Sequence, residues 1–183
     1  MTGAVWNLDP SEGELLIRTG VAGPGARMGH RLTIAMRRWQ ATVKWTDGEP
    51  VAAQLTVDVD SLVVLRGEGG LTPLSGPEKT LVRSSALRQL AAGRHRKICF
   101  DADTVEKSRD GYRLTGTLQI RGKTRAQVIA LRTEDLGDAW RLSTEAVVRQ
   151  SEFGVKPYSL LMGSLKVADD VTVSFSAQRA KET

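Results

Sequence analysis

The stretch GYRLTGTLQIRGKTRAQVIALRTED, residues 111–135, decides the fold class. Tyr112, Leu114, Leu118 and Ile120 occupy even positions, while Arg113, Thr115, Thr117 and Gln119 occupy odd ones. A period of two sends the two sets to opposite faces of a sheet. Gly116 interrupts the apolar face and predicts a bend, a bulge or the close approach of another group. Gly122-Lys123 is expected to turn the chain into a second strand over Thr124–Thr133, closing a β-hairpin. Gly122-Lys123-Thr124 has the look of the end of a phosphate-binding loop. That motif would need glycine where Thr117 stands and a helix afterwards, and RAQVIAL suits a strand.

Working outward, the same alternation recurs along the chain. Glu14–Thr19 reads as a first strand, followed by a loop with Gly20, Gly23, Pro24 and Gly25, whose spacing is not that of a dinucleotide fingerprint. Leu32, Ile34 and Met36 set one phase, and after Arg37-Arg38 the phase slips to Trp39, Ala41, Val43 and Trp45, which predicts a β-bulge. Asp47-Gly48 turns the chain, and Val51, Ala53, Leu55, Val57 and Val59 return. Ile98, Phe100 and Ala102, a turn at Asp110-Gly111, a turn at Gly137-Asp138, and the series Trp140–Val148 and Val171–Ala177 complete the strand pattern. One helix stands out. Ser75 and Glu78 have capping-box spacing, Pro77 fits the first turn, Val82, Ala86 and Leu90 recur with Leu87 beside them, and Gly93 is the expected left-handed stop. The segment Ser151–Ser164, with Pro157, reads as a loop or short helical insertion. The expectation is an all-β chain, an antiparallel up-and-down barrel or sandwich of about eight strands with one crossover helix, as a single domain over residues 1–183.

Composition fits a globular protein: 40% of residues are hydrophobic and 26% charged, with a net charge of +5. A single cysteine, Cys99, excludes an intramolecular disulfide. No basic start with an apolar run opens the chain and no stretch is long and apolar enough for a membrane span, so the expected address is the cytoplasm. The basic runs Arg37-Arg38 and Arg94-His95-Arg96-Lys97 are short and read as solvated faces. Catalytic constellations are missing. His30 and His95 sit in no HExxH and beside no CxxC, Cys99 has no motif partner, and no GxSxG occurs. The pairs Asp58/Asp60 and Asp101/Asp103 oppose the apolar phase and belong to an outer face. The reading is of a protein that is not an enzyme and needs no metal or cofactor.

Several of these patterns, in this order, resemble the YceI-like family over nearly the whole chain. WNLDPS at residues 6–11 resembles its opening, GHRLTI at 29–34 its early Gly/His strand, and VDVDSLVV at 57–64 its Ser-Leu strand end. RKICF at 96–100 sits where the family has a strand after its helix, GTLQIRGKT at 116–124 resembles its hairpin, RQSEFG at 149–154 its Glu-Phe-Gly region, and Asp170-Val171-x-Val173 its closing strand. Pro10 and Lys97 depart from the pattern, the first where a polar residue is often seen and the second where proline is common. The resemblance implies an extended lipocalin-like barrel holding a long apolar ligand, such as a polyisoprenoid or another amphiphile. Many relatives are periplasmic, and a shared fold transfers neither compartment nor ligand.

An eight-stranded barrel can be filled by side chains or hold one ligand. Small residues on the inward phases, Ala41, Ala53, Gly116, Ala146 and Ala177, favour a cavity. On that reading Ile34, Met36, Leu118, Val148 and Phe175 line the wall, and Phe153, Tyr158, Leu160, Leu161 and Met162 form a lid or plug. His30, Arg38 and Arg94 are candidates for the polar end. The expected partner is a small hydrophobic or amphiphilic ligand, an isoprenoid-like lipid. Transient contact with a membrane surface and a homodimer are compatible with it, and no nucleic acid is expected. The alternative is a filled barrel that contacts nucleic acid or an anionic membrane through its basic clusters.

Overall fold

The computed structural model describes residues 3–160 and 165–182. Its strands are β1 (Gly3–Leu8), β2 (Gly13–Ala22), β3 (His30–Met36), β4 (Trp39–Thr46), β5 (Glu49–Asp58), β6 (Leu62–Gly69), β7 (Lys97–Lys107), β8 (Gly111–Ile120), β9 (Lys123–Asp135), β10 (Ala139–Arg149), β11 (Ser159–Leu160) and β12 (Leu165–Ala180). The helix α1 spans Gly76–Gln89. One curled antiparallel sheet runs β1-β4-β5-β7-β8-β9-β10-β12-β2-β3-β6, with β11 beside β12. Among the described residues no helix is long and apolar enough to cross a membrane.

The hairpin read from residues 111–135 is β8–β9, with Gly111 opposite Arg132 and Ile120 opposite Lys123. Its two turn residues are Arg121 and Gly122, one position earlier than expected, and Lys123 opens β9. Both turn residues have positive φ, 52° and 74°, as the twist of a two-residue hairpin requires. Gly116 marks a close approach. A Cβ there would lie 1.9 Å from the Asp101 carbonyl oxygen on β7, beside an irregularity in the β7–β8 register between Ala102 and Thr104.

The expected bulge at Arg37-Arg38 is instead a corner. β3 and β4 form one long bent strand, and β5 and β6 form its partner, bent at the 3-10 turn Val59–Ser61. The Arg37 amide donates to the Ser61 carbonyl at 3.1 Å, and the Asp58 amide to the Arg38 carbonyl at 3.0 Å. Before the corner the hairpin pairs with β2 through β3, and after it with β7 through β5. The two ends of the sheet path are therefore arms of one hairpin, and the sheet returns on itself. Counting each bent strand once and setting aside the short β1 and β11 leaves eight long strands. The eleven strands of the path exceed the expected number because the sheet turns this corner and because β1 pairs with β4, a strand absent from the sequence reading. Arg179 of β12 ties β1 to the other side by donating to the Asn7 carbonyl at 2.8 Å, its guanidinium 5.2 Å from the Trp6 ring centroid.

Helix α1 begins as the sequence predicts. The Glu78 amide donates to Ser75 Oγ and the Ser75 amide to Glu78 Oε1, each at 3.2 Å. Its end differs: Ala91, with φ 51°, takes the left-handed position expected of Gly93. The Ala92 amide reaches back to the Leu87 carbonyl at 3.0 Å, so the chain reverses before Gly93 is reached. Arg83 fastens the helix to the corner, donating to the carbonyls of Leu62 at 2.8 Å and Asp60 at 2.6 Å. Val82, Ala86, Leu87 and Leu90 face the core built by Leu15, Ile34, Met36, Trp39, Val57 and Leu62.

Candidate ligand cavity

The sheet and helix enclose a cavity of about 550 Å³. Alternation explains its lining: the inward set of each strand faces one space, so Leu15 and Ile17 of β2, Ile34 and Met36 of β3, Leu55 and Val57 of β5, Leu114 and Leu118 of β8, Ile129 of β9, Val148 of β10 and Phe175 of β12 meet around it. Ala41, Ala53 and Ala146 leave room at the wall. Gly116 and Ala177 do not border the space. Gly116 is closed against β7, and Ala177 is buried at 2% exposure, where it would meet a side chain on Gly13. Trp39 packs edge-on against Phe175 at 5.2 Å between ring centroids, outside the lining, with its buried Nε1 unpartnered among the described residues.

Past Ser143 the β9–β10 ladder stops. Thr144 Oγ1 donates to the Ala130 carbonyl at 2.8 Å, and beyond it the two strands pair no further. The expected loop after β10 begins as a 3-10 turn, Gln150–Phe153, and stands beside this opening. Three anchors hold it. Arg121 donates to the Gly154 carbonyl at 2.7 Å, Gln150 to the Ala168 carbonyl at 3.1 Å, and the Ser151 amide and hydroxyl to the Asp169 carboxylate at 2.8 and 2.5 Å. Phe153, 1% exposed, is driven inward against Val148, Val155, Leu90, Leu118 and Ile120. It borders the cavity from this side, as does Tyr158, which is 42% exposed. Leu161 and Met162, expected in the lid, lie outside the described residues.

The exposed lining residues Glu78 and Leu81 of α1, and Lys156 and Tyr158 beyond the 3-10 turn, mark a mouth of the cavity; α1 also contributes Ser85 and Gln89 to the lining. Among the described residues, Glu78 and Lys156 are the two carboxylate or ammonium groups on the lining. Hydrogen bonds from Ser75, side chain first and backbone second, hold the Glu78 carboxyl below its ordinary range. His30 borders the cavity with Nε2 2.6 Å from the Thr72 carbonyl, so that nitrogen carries the proton it donates. The sequence points to Glu78 only as a capping residue and does not single out Lys156, so neither is expected on the cavity lining. The available signal for Glu78 was its place on the same helical face as Val82 and Ala86, since i, i+4 neighbours share a side.

Arg38, expected at the polar end, lies outside the cavity. It is spent on the corner, donating to Asp58 at 3.1 Å and Asp60 at 2.7 Å, while Lys97 also pairs with Asp58. The Lys97 ammonium, foremost, holds the Asp58 carboxyl below its ordinary range; burial opposes it, and the Arg38 guanidinium adds to the lowering. The Asp58/Asp60 pair read as a solvated face is thus a latch on the bent hairpin. Arg94 follows α1 and does not line the cavity. Among the described residues no cluster of three or more His, Cys, Asp or Glu side chains is placed to hold a metal ion.

A hollow antiparallel barrel with an apolar lining and one covering helix defines a lipocalin-like architecture. Within that class, the chain belongs to the YceI-like family: the family profile described as "YceI-like domain" matches residues 6–179. Its fold is similar to that of BcnA from Burkholderia cenocepacia, with a TM-score of 0.70 at 17% identity over 94% of this chain and 99% of that one. It is also similar to the YCEI protein of Campylobacter jejuni, with a TM-score of 0.59 at 15% identity over 82% of this chain and 85% of that one. No curated protein matches the chain.

Proposed function

We propose that this protein binds and carries, without chemical change, a long apolar amphiphile in the barrel cavity: a polyisoprenoid, an isoprenoid quinone or a fatty-acid-like lipid. The observation that carries this reading is the cavity of about 550 Å³ bordered by inward side chains of all eight long strands. Its size falls in the range of about 300 to 1,000 Å³ usual for ligand pockets. Apolar surface entering it gains about 25 cal/mol per Å², while the polar groups at the mouth, His30, Glu78 and Lys156, set which head is accepted. Family membership supports the same reading. The filled-barrel alternative has this open interior against it.

The test is organic extraction of the purified protein followed by mass spectrometry, together with titration by retinol, an isoprenoid alcohol whose fluorescence rises out of water. A co-purifying long-chain lipid or saturable, stoichiometric retinol binding is expected. Recovery of no lipid together with no saturable binding of retinol or of a long-chain fatty acid would overturn the proposal.

A further inference from the structure

One end of the barrel combines features that the rest of the surface lacks. Antiparallel register brings the C-terminal end of β2 beside the N-terminal end of β12, with Ala22 opposite Lys166, and the start of β3 beside the end of β6, with His30 opposite Gly69. The 3-10 turn Ala26–Met28 packs against β2 and β12 at this end, and the loop after β6 leads directly into α1 and the cavity mouth.

The two most exposed large apolar side chains of the described residues are here, Leu71 at 79% and Leu81 at 69%, with Met28 and Tyr158 also exposed. Leu81 and Tyr158 border the cavity as well. Both therefore belong to the inner wall and to the outer surface. Elsewhere the exposed large apolar residues, apart from Leu136, are valines on the strands: Val5, Val51, Val63, Val128 and Val147.

The charges at this end point to the partner. Arg27, Arg31, Lys156 and Lys166 are exposed, and among the described residues none forms an ion pair with a carboxylate. Two of the nearby carboxylates are engaged: Glu68 takes Arg66 at 3.3 Å, and Glu78 is held in the capping box. Apolar tips amid unpaired cations suit the boundary of an anionic bilayer, where the tips enter the headgroup region and the cations meet phosphates. Single-stranded nucleic acid would call for a platform of stacking aromatics, and Tyr158 is the one exposed aromatic here.

We propose that this end of the barrel docks onto an anionic lipid bilayer and sets the cavity mouth against the acyl chains, so that a ligand passes between membrane and barrel without crossing water. The docking stands on the surface itself. The passage of a ligand rests on the carrier reading above.

The experiment is co-sedimentation of the intact chain with vesicles of phosphatidylcholine alone and of phosphatidylcholine with phosphatidylglycerol. It compares wild type with the double variant Leu71→Glu, Lys166→Glu, neither residue lining the cavity, and retinol binding is measured on both. Expected are binding to the anionic vesicles only, a loss of at least about tenfold in the variant, and equal retinol binding by the two proteins. Wild type that stays in solution, a variant that sediments like wild type, or stronger binding to an oligonucleotide than to the vesicles would overturn the docking proposal. Vesicle binding that the variant loses, with no retinol binding by either protein, would uphold the docking face and overturn the carrier reading instead.

Discussion

Asp58 shows how much one side chain can hold. It sits where the long hairpin bends, paired to Lys97 and Arg38, with the Ser61 hydroxyl donating to its carbonyl at 2.7 Å. A carboxyl held below its ordinary pKa in the folded state contributes stability above the unfolded value, and that contribution is lost as pH falls through the folded value. The wild type should therefore lose stability as pH drops below about 4, the ordinary carboxylate range. Asp58→Asn should be less stable at neutral pH and show a flatter acid limb, read from denaturant midpoints across pH. Two glycines provide a second residue-scale contrast. Gly116→Ala forces a methyl group into the β7 backbone and should cost at least the 1 to 3 kcal/mol typical of overpacking. Gly93→Ala meets no atom within 4 Å and should be neutral or stabilising by about 0.4 to 1 kcal/mol, because Ala91 and not Gly93 takes the left-handed position. Equal midpoints for the two variants would contradict this account.

At the scale of elements, α1 is an accessory wall and not an independent unit. None of its residues is fully buried, and it is held by its cap, by Arg83 and by an apolar stripe laid over the cavity. Ser75→Ala removes one half of the capping box and should lower stability by about 0.5 to 2 kcal/mol, a drop of a few degrees in Tm. An unchanged melting curve would mean that the cap contributes nothing. The turn after β10 is held differently, by three side-chain anchors and by Phe153 pressed into the barrel beside the unpaired stretch of β9 and β10. Phe153 of this turn packs inward, and residues 161–164 of the segment expected to be a lid or a plug lie outside the described residues.

For the whole molecule, the decisive property is that the barrel is hollow. Val148→Phe and Met36→Trp add volume to side chains that border the cavity. In a filled core such changes cost about 1 to 3 kcal/mol, whereas here the space can take them. Both variants should keep a melting temperature close to wild type and lose most of their retinol binding. Marked destabilisation with retinol binding intact would show that these side chains are packed as in a solid core and that the ligand lies elsewhere.

The amino-acid sequence by itself determined what rests on neighbours a few positions apart. Alternation along β8 and β9 set which side chains face inward, Asp47-Gly48 and the glycine at 122 set tight turns, and Ser75 with Glu78 set where the helix starts. These are local rules of backbone geometry, and the structure departs from them by a residue or two, as at Arg121 and Ala91. Tertiary structure alone decided the corner, the closure and the hollow. Arg38 reads as a candidate ligand contact until folding brings Asp58 and Asp60 to it, and nothing in the sequence around Lys156 marks it until its segment comes to line the cavity. The volume enclosed follows from how far the sheet curls and where two long strands bend. Those depend on contacts between residues far apart in the chain, such as Arg179 with Asn7, which no periodicity records.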